Sequence, residues 1–143
     1  QEVLANFDRY GVSRNAVRSH RGWFVDSLPL LRAELLARGE RLSLLRMDGD
    51  IYDSTVDILY NLYDLLEVGG MLTIDDYGWG ARGGQRGSKK GLRQPSVAAF
   101  GAKNALLDFR RLHGIEDDAH RIHNIDDTAA WFVTPLSLPS PPS

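Results

Sequence analysis

Leu42-Ser43-Leu44-Leu45-Arg46-Met47, followed at once by Asp48-Gly49-Asp50, is the stretch on which the fold turns. Four large apolar side chains in six residues, closed off by turn formers, predict a short buried strand. Met71-Leu72-Thr73-Ile74 followed by Asp75-Asp76 repeats the arrangement, so a second strand is expected there. Between the two, Ser54-Thr55-Val56-Asp57 has the form of a capping box. The helix it opens carries Leu59, Leu62, Tyr63 and Leu66 as an apolar stripe, and Gly69-Gly70 is expected to end it. Upstream, Asp26 and Ser27 are placed to cap a helix that Pro29 starts and Gly39 stops, with Leu28, Leu31 and Leu35 on one face. The succession helix, strand, helix, strand with tight glycine turns predicts an α/β fold on a mostly parallel sheet. Further out, Gly101 to His113 reads as a helix with Ala102, Ala105, Phe109 and Leu112 inward and Gly114 as its stop. His120 to Ile125 and Ala129 to Thr134, joined by Asp126-Asp127, read as a C-terminal antiparallel hairpin, and Val17 to His20 as one more short strand.

The 143 residues allow one domain, and 43% hydrophobic with 25% charged residues supports a single core. A net charge of −2 excludes a generally basic nucleic-acid binder. With no cysteine, disulfides, thiolate metal sites and a cysteine nucleophile are excluded together, and a reducing, cytoplasmic location is expected. No apolar run approaches the ~18 residues of a membrane span. From Tyr77 to Leu107 there is no acidic residue, while Arg82, Arg86, Lys89, Lys90, Arg93 and Lys103 are basic. The Gly-rich centre of that stretch has no helical or strand period, so residues 79–100 read as a loop insertion. Residues 1–134 are expected to form the domain, and the Pro/Ser-rich 135–143 a disordered tail. His20, His113, His120 and His123 show no spacing that ties them to another ligand.

On a parallel sheet, Asp48, Asp50, Asp75 and Asp76 all fall at the carboxyl edge, where open α/β sheets bind ligands. Carboxylates gathered there repel one another, and a divalent cation with a taste for hard oxygen ligands removes the conflict. The competing reading has Asp48 and Asp50 capping the next helix and Asp75-Asp76 making a turn. An acidic pair after each of two strands favours the metal, Mg²⁺.

These motifs reach a family. Asn6-Phe7-Asp8-Arg9-Tyr10-Gly11, Arg21-Gly22-Trp23-Phe24, Arg46-Met47-Asp48-Gly49-Asp50-Ile51-Tyr52-Asp53-Ser54-Thr55 and Ile74-Asp75-Asp76-Tyr77-Gly78 together resemble the macrocin O-methyltransferase (TylF) family. That resemblance implies a Rossmann-like class I methyltransferase sheet, dependence on S-adenosylmethionine and Mg²⁺, and transfer of a methyl group to a hydroxyl of a glycosylated natural product in antibiotic biosynthesis. It places Asp48, Asp75 and Asp76 on the metal ligands and Asp50 where either a carboxylate supporting those ligands or a proton-accepting one would sit. Asp48 and Asp50 are then the catalytic pair. Gly22, Trp23 and Phe24 fall on the turn bordering the cofactor adenine, with Asp48 beside it. An aromatic ring there can pack on a purine face, or simply in the core.

The family's Gly-rich cofactor loop has no counterpart in these 143 residues. The chain therefore resembles the C-terminal half of such an enzyme, its sheet lacking the first strands. Alone it is expected to be inactive and to associate through open sheet edges. Both Gly80-Ala81-Arg82 and Gly101-Ala102-Lys103 match the family's next helix start, and the helical pattern follows only the second. The alternative function is a non-catalytic α/β module that holds an anionic partner on the basic loop 82–93. Against it, that loop lacks interleaved aromatics. Neither nucleic acid nor membrane is expected as a partner.

Overall fold

In a computed structural model, residues 2–77, 101–115, 121–126 and 128–134 are described. Four helices, α1 (Glu2–Arg9), α2 (Phe24–Arg38), α3 (Tyr52–Leu62) and α4 (Gly101–Leu112), accompany four strands, β1 (Leu42–Met47), β2 (Leu66–Ile74), β3 (His123–Asn124) and β4 (Ala130–Val133). The strands form one sheet in the order β1-β2-β4-β3. No described helix is long and apolar enough to cross a membrane.

The α/β class holds, but the sheet is mixed rather than mostly parallel. β1 and β2 are parallel because α3 carries the chain back to the same end, and β4 then enters antiparallel beside β2, with β3 antiparallel to β4. Asp126 shapes the β3–β4 hairpin: its Oδ1 accepts the N–H groups of Thr128 at 2.7 Å and Ala129 at 2.8 Å. Val17 to His20 is not a strand. Val17 is extended, but its N–H turns back to the Arg14 carbonyl at 3.2 Å and no described strand pairs with it.

β1 is buried on one face only. Leu45 and Met47 point into the core while Leu44 and Arg46 point out, which is the alternation a pleated strand imposes. The core lies between that inner face and the helices. Met47, Leu72, Ile74, Ala130 and Phe132 from the sheet meet Leu59, Leu62, Leu106 and Phe109 from α3 and α4. α4 buries Ala102, Ala105 and Phe109 as expected and adds Leu106, which is fully buried, while Leu112 at the helix end is 55% exposed rather than inward.

Three boundaries differ from expectation, each for a local reason. α2 starts at Phe24, not Pro29. The Trp23 carbonyl accepts both the N–H and the Oγ of Ser27 at 2.9 Å, and Pro29 sits in the second turn, where it costs one backbone donor. α3 starts at Tyr52, so Ser54 is inside the helix and no capping box forms. Thr55 Oγ1 instead donates to the Ile51 carbonyl at 3.0 Å. The third concerns Gly69-Gly70, which does not end α3. The helix yields to a 3₁₀ turn at Tyr63–Leu65, and the glycine pair lies inside β2 at a bulge, where the pairing passes from Leu42–Leu66 to Leu44–Met71. Gly69 has φ +78, and a Cβ on Gly70 would stand 2.8 Å from the Glu67 carbonyl oxygen, so both positions require glycine.

α2 stops where Gly39 predicts. Gly39 is left-handed, its N–H reaches the Leu36 carbonyl at 3.1 Å, and Glu40 N–H reaches Leu35 at 2.9 Å. Residues 1, 78–100, 116–120, 127 and 135–143 lie outside the described residues, and with them the expected loop insertion, its basic side chains from Arg82 to Arg93, His120, Asp127 of the expected hairpin turn and the tail.

Candidate metal centre

The parallel ladder continues one rung beyond the strands. Asp75 N–H donates to the Met47 carbonyl at 2.9 Å, so the chain leaves β1 at Asp48 and β2 at Asp75 side by side. After Asp48 the backbone turns sharply, with Ile51 N–H on the Gly49 carbonyl at 2.5 Å. Asp50 at the centre of this turn has φ +54, a left-handed conformation that costs a non-glycine residue about 1 kcal/mol and that Asp tolerates better than most. The turn brings the Asp50 carboxylate back over the strand ends. One oxygen from each of Asp48, Asp50 and Asp76 lies within 4.8 Å of the others.

Two further contacts hold this edge in place. Gly101 opens α4 directly against the start of α3, where a Cβ would stand 2.5 Å from the Tyr52 nitrogen and 2.9 Å from the Ile51 carbonyl carbon. Tyr52 Oη donates to Asp108 Oδ2 at 3.1 Å, tying the two helices once more. The segment immediately after Asp50 is thereby wedged.

Asp48 and Asp50 are exposed, whereas Asp76 is half-buried and its Oδ2 is buried without a hydrogen-bond partner. Burial pushes the Asp76 carboxyl up to about 6, a side-chain hydrogen bond with Asp50 and then the charges of Asp50 and Asp48 add to the rise, and a hydrogen bond from the Asp50 backbone opposes it. A half-buried carboxylate with one unpartnered oxygen, clustered with two further carboxylates, suits a small divalent cation. At Mg–O distances of about 2.1 Å, octahedral ligand oxygens lie about 3–4.2 Å apart, a spacing these side chains approach.

Asp75, expected in the ligand set, is placed otherwise. Its carboxylate is engaged by Arg46: Nε lies 3.0 Å from Oδ2 and 3.3 Å from Oδ1, and Nη2 also donates to Oδ2. The structure thus brings Asp48, Asp50 and Asp76 together and holds Asp75 beside them on an arginine. Arg46 was not singled out from sequence, although strand alternation alone sends it to the face opposite Met47. In sequence, Lys103 stands out only in a basic stretch and in the Gly101-Ala102-Lys103 helix start. Its Nζ lies 4.9 Å above the Tyr77 ring, next to Asp76 in sequence.

Of the expected cofactor-side residues, Gly22 has φ +141, a conformation that favours glycine. Trp23 is 82% exposed and so takes no part in the core. Phe24 borders the acidic turn, its Cε2 3.5 Å from where a Gly49 Cβ would stand. Among the described residues no histidine joins the cluster. His20 lies 3.8 Å from Glu34, His113 packs on Phe109 at 4.3 Å, and His123 stacks on Trp131 at 4.7 Å.

With this edge described, the model of the macrocin O-methyltransferase (TylF) family matches residues 1–88. The chain belongs to that family. It is 36% identical over 132 residues to the 8-demethyl-8-(2,3-dimethoxy-alpha-L-rhamnosyl)-tetracenomycin-C 4'-O-methyltransferase of Streptomyces olivaceus, covering 92% of this chain and 40% of the relative. To the mycinamicin III 3''-O-methyltransferase of Micromonospora griseorubida it is 36% identical over 116 residues, covering 81% and 35%. Among solved structures it resembles the O-methyltransferase NovP, with a TM-score of 0.68 and 31% identity, covering 94% of this chain and 44% of NovP. The chain thus spans less than half the length of each of these relatives.

Proposed function

We propose that this TylF-family protein is an O-methyltransferase that uses S-adenosylmethionine and Mg²⁺ to methylate a sugar hydroxyl of a glycosylated natural product. The observation that carries the reading is the meeting of Asp48, Asp50 and Asp76 at one strand edge, with a buried Asp76 oxygen lacking a partner. The relatives support the acceptor class, one being the 4'-O-methyltransferase of a rhamnosyl-bearing tetracenomycin and the other the 3''-O-methyltransferase of mycinamicin III.

Asp48 and Asp76, with Asp75 on the same edge, are the residues that would hold Mg²⁺, which as a Lewis acid makes a hydroxyl more acidic. Asp50 accepts the hydroxyl proton on a carboxylate oxygen. Its left-handed turn aims that carboxylate at the same point as Asp48 and Asp76, and its exposure leaves it open to an incoming acceptor. Phe24, against the Asp48–Asp50 turn, and the exposed Trp23 offer apolar surface to the adenine of S-adenosylmethionine, whose sulfonium supplies the methyl group. The work of these residues is positioning and charge stabilisation rather than covalent catalysis.

The first test is calorimetric titration of the purified chain with MgCl₂. Saturable binding that Asp48→Asn abolishes is expected. Absence of binding, or binding indifferent to Asp48, would remove the basis of the reading.

A further inference from the structure

Asp75 stands on the same edge as Asp48 and Asp76, yet its carboxylate is taken by Arg46. Its backbone is fixed there by the bond from its N–H to Met47, so only its side chain is free to choose a partner. Arg46 is mounted on the outward face of β1, and its side chain is 66% exposed. Its guanidinium meets Asp75 through both Nε and Nη2, a forked contact that a lysine cannot reproduce. The Asp48 charge also acts on Arg46. The same guanidinium is therefore coupled to two carboxylates of the edge.

We infer that Arg46 is a positioning residue that competes with the divalent cation for the Asp75 carboxylate and thereby sets cation affinity at this edge. The inference rests on the Mg²⁺ reading above. Without a cation, Arg46 neutralises Asp75 and keeps a fourth carboxylate away from three that already crowd one another. When a cation sits between Asp48 and Asp76, Asp75 exchanges partners by rotating about its Cα–Cβ bond. The ion pair that must break is a cost set against binding.

The experiment is calorimetric titration with MgCl₂ of the wild-type protein, Arg46→Met, Arg46→Lys, Asp75→Asn and the double variant Arg46→Met/Asp75→Asn. Arg46 is exposed, so these variants are expected to keep the fold, which circular dichroism checks. Arg46→Met should bind Mg²⁺ about tenfold more tightly, because an added carboxylate ligand shifts divalent affinity by decades. Arg46→Lys should fall between wild type and Arg46→Met. The gain should vanish in the double variant, which should match Asp75→Asn alone. A gain that persists in the double variant would mean that only a repelling positive charge had been removed, and would overturn the competition. So would Arg46→Met binding no tighter than a wild type that does bind. If neither wild type nor Arg46→Met takes up Mg²⁺, the metal reading fails first and takes this inference with it.

Discussion

Replacing Asp76 with asparagine should make the cation-free protein more stable at neutral pH, although it damages the proposed site. The Asp76 carboxyl rises from 3.8 to about 6 on folding because it is partly buried beside Asp50 and Asp48. Below pH 3.8 both folded and unfolded chains carry its proton, and its environment costs nothing. Between 3.8 and about 6 the unfolded chain releases the proton while the folded chain keeps it, so stability falls as pH rises, and the full loss is present above 6. At 1.36 kcal/mol per pH unit the gap is worth about 3 kcal/mol. Asp76 is only half-buried, and solvent screening brings the expected cost to about 1–2 kcal/mol. Asp76→Asn escapes that cost, so in EDTA at pH 7.5 its urea midpoint should exceed that of wild type, with a melting temperature higher by about 3–8 °C. The advantage should shrink to nothing toward pH 4. Added Mg²⁺ should reverse the order, stabilising wild type and leaving Asp76→Asn unchanged. An Asp76→Asn protein less stable than wild type in EDTA at pH 7.5, or an advantage independent of pH, would refute the reasoning.

Gly101→Ala drives a methyl group into the backbone at Ile51 and Tyr52 and should destabilise by about 3 kcal/mol in urea unfolding, at the upper end for overpacking; a loss under 1 kcal/mol would show that α4 can shift aside. Asp50→Asn should keep the left-handed turn and near wild-type stability while lowering methyl transfer by the intact enzyme at least about 100-fold, and unchanged turnover would leave Asp50 a purely structural turn residue. Asp50→Ala should be less stable than Asp50→Asn by about 1 kcal/mol, read from urea midpoints, because alanine tolerates positive φ less well. Titrated with S-adenosylmethionine, the 143-residue chain should show no micromolar binding, since its sequence holds no Gly-rich cofactor loop; such binding would place the cofactor site within these residues.

Much of the site's location was legible in the sequence, because it depends on short-range pattern. β1 runs from Leu42 to Met47 as its apolar run predicts, and Asp48 and Asp75 follow neighbouring parallel strands. Gly39 and Gly114 both mark helix ends with a left-handed backbone, a local preference that needs no tertiary partner. Less legible were features whose sign depends on what lies alongside. A glycine pair ends a helix or bulges a strand equally well, and only the pairing of β2 with β1 and β4 puts Gly69-Gly70 in a strand. The periodicity of α4 gives Ala102, Ala105 and Phe109 inward correctly, but not that Leu106 joins them and Leu112 at the helix end stays out. Four aspartates at one edge could be read from spacing, but not which of them meet. That was decided by the positive φ at Asp50, which folds its carboxylate back toward Asp48 and Asp76, and by Arg46, which an outward-facing strand position carries to Asp75. The position of β1 and the helix stop at Gly39 are encoded within a few neighbouring residues. The partner of a carboxylate is settled by competition among charges that only the folded chain brings within a few ångströms.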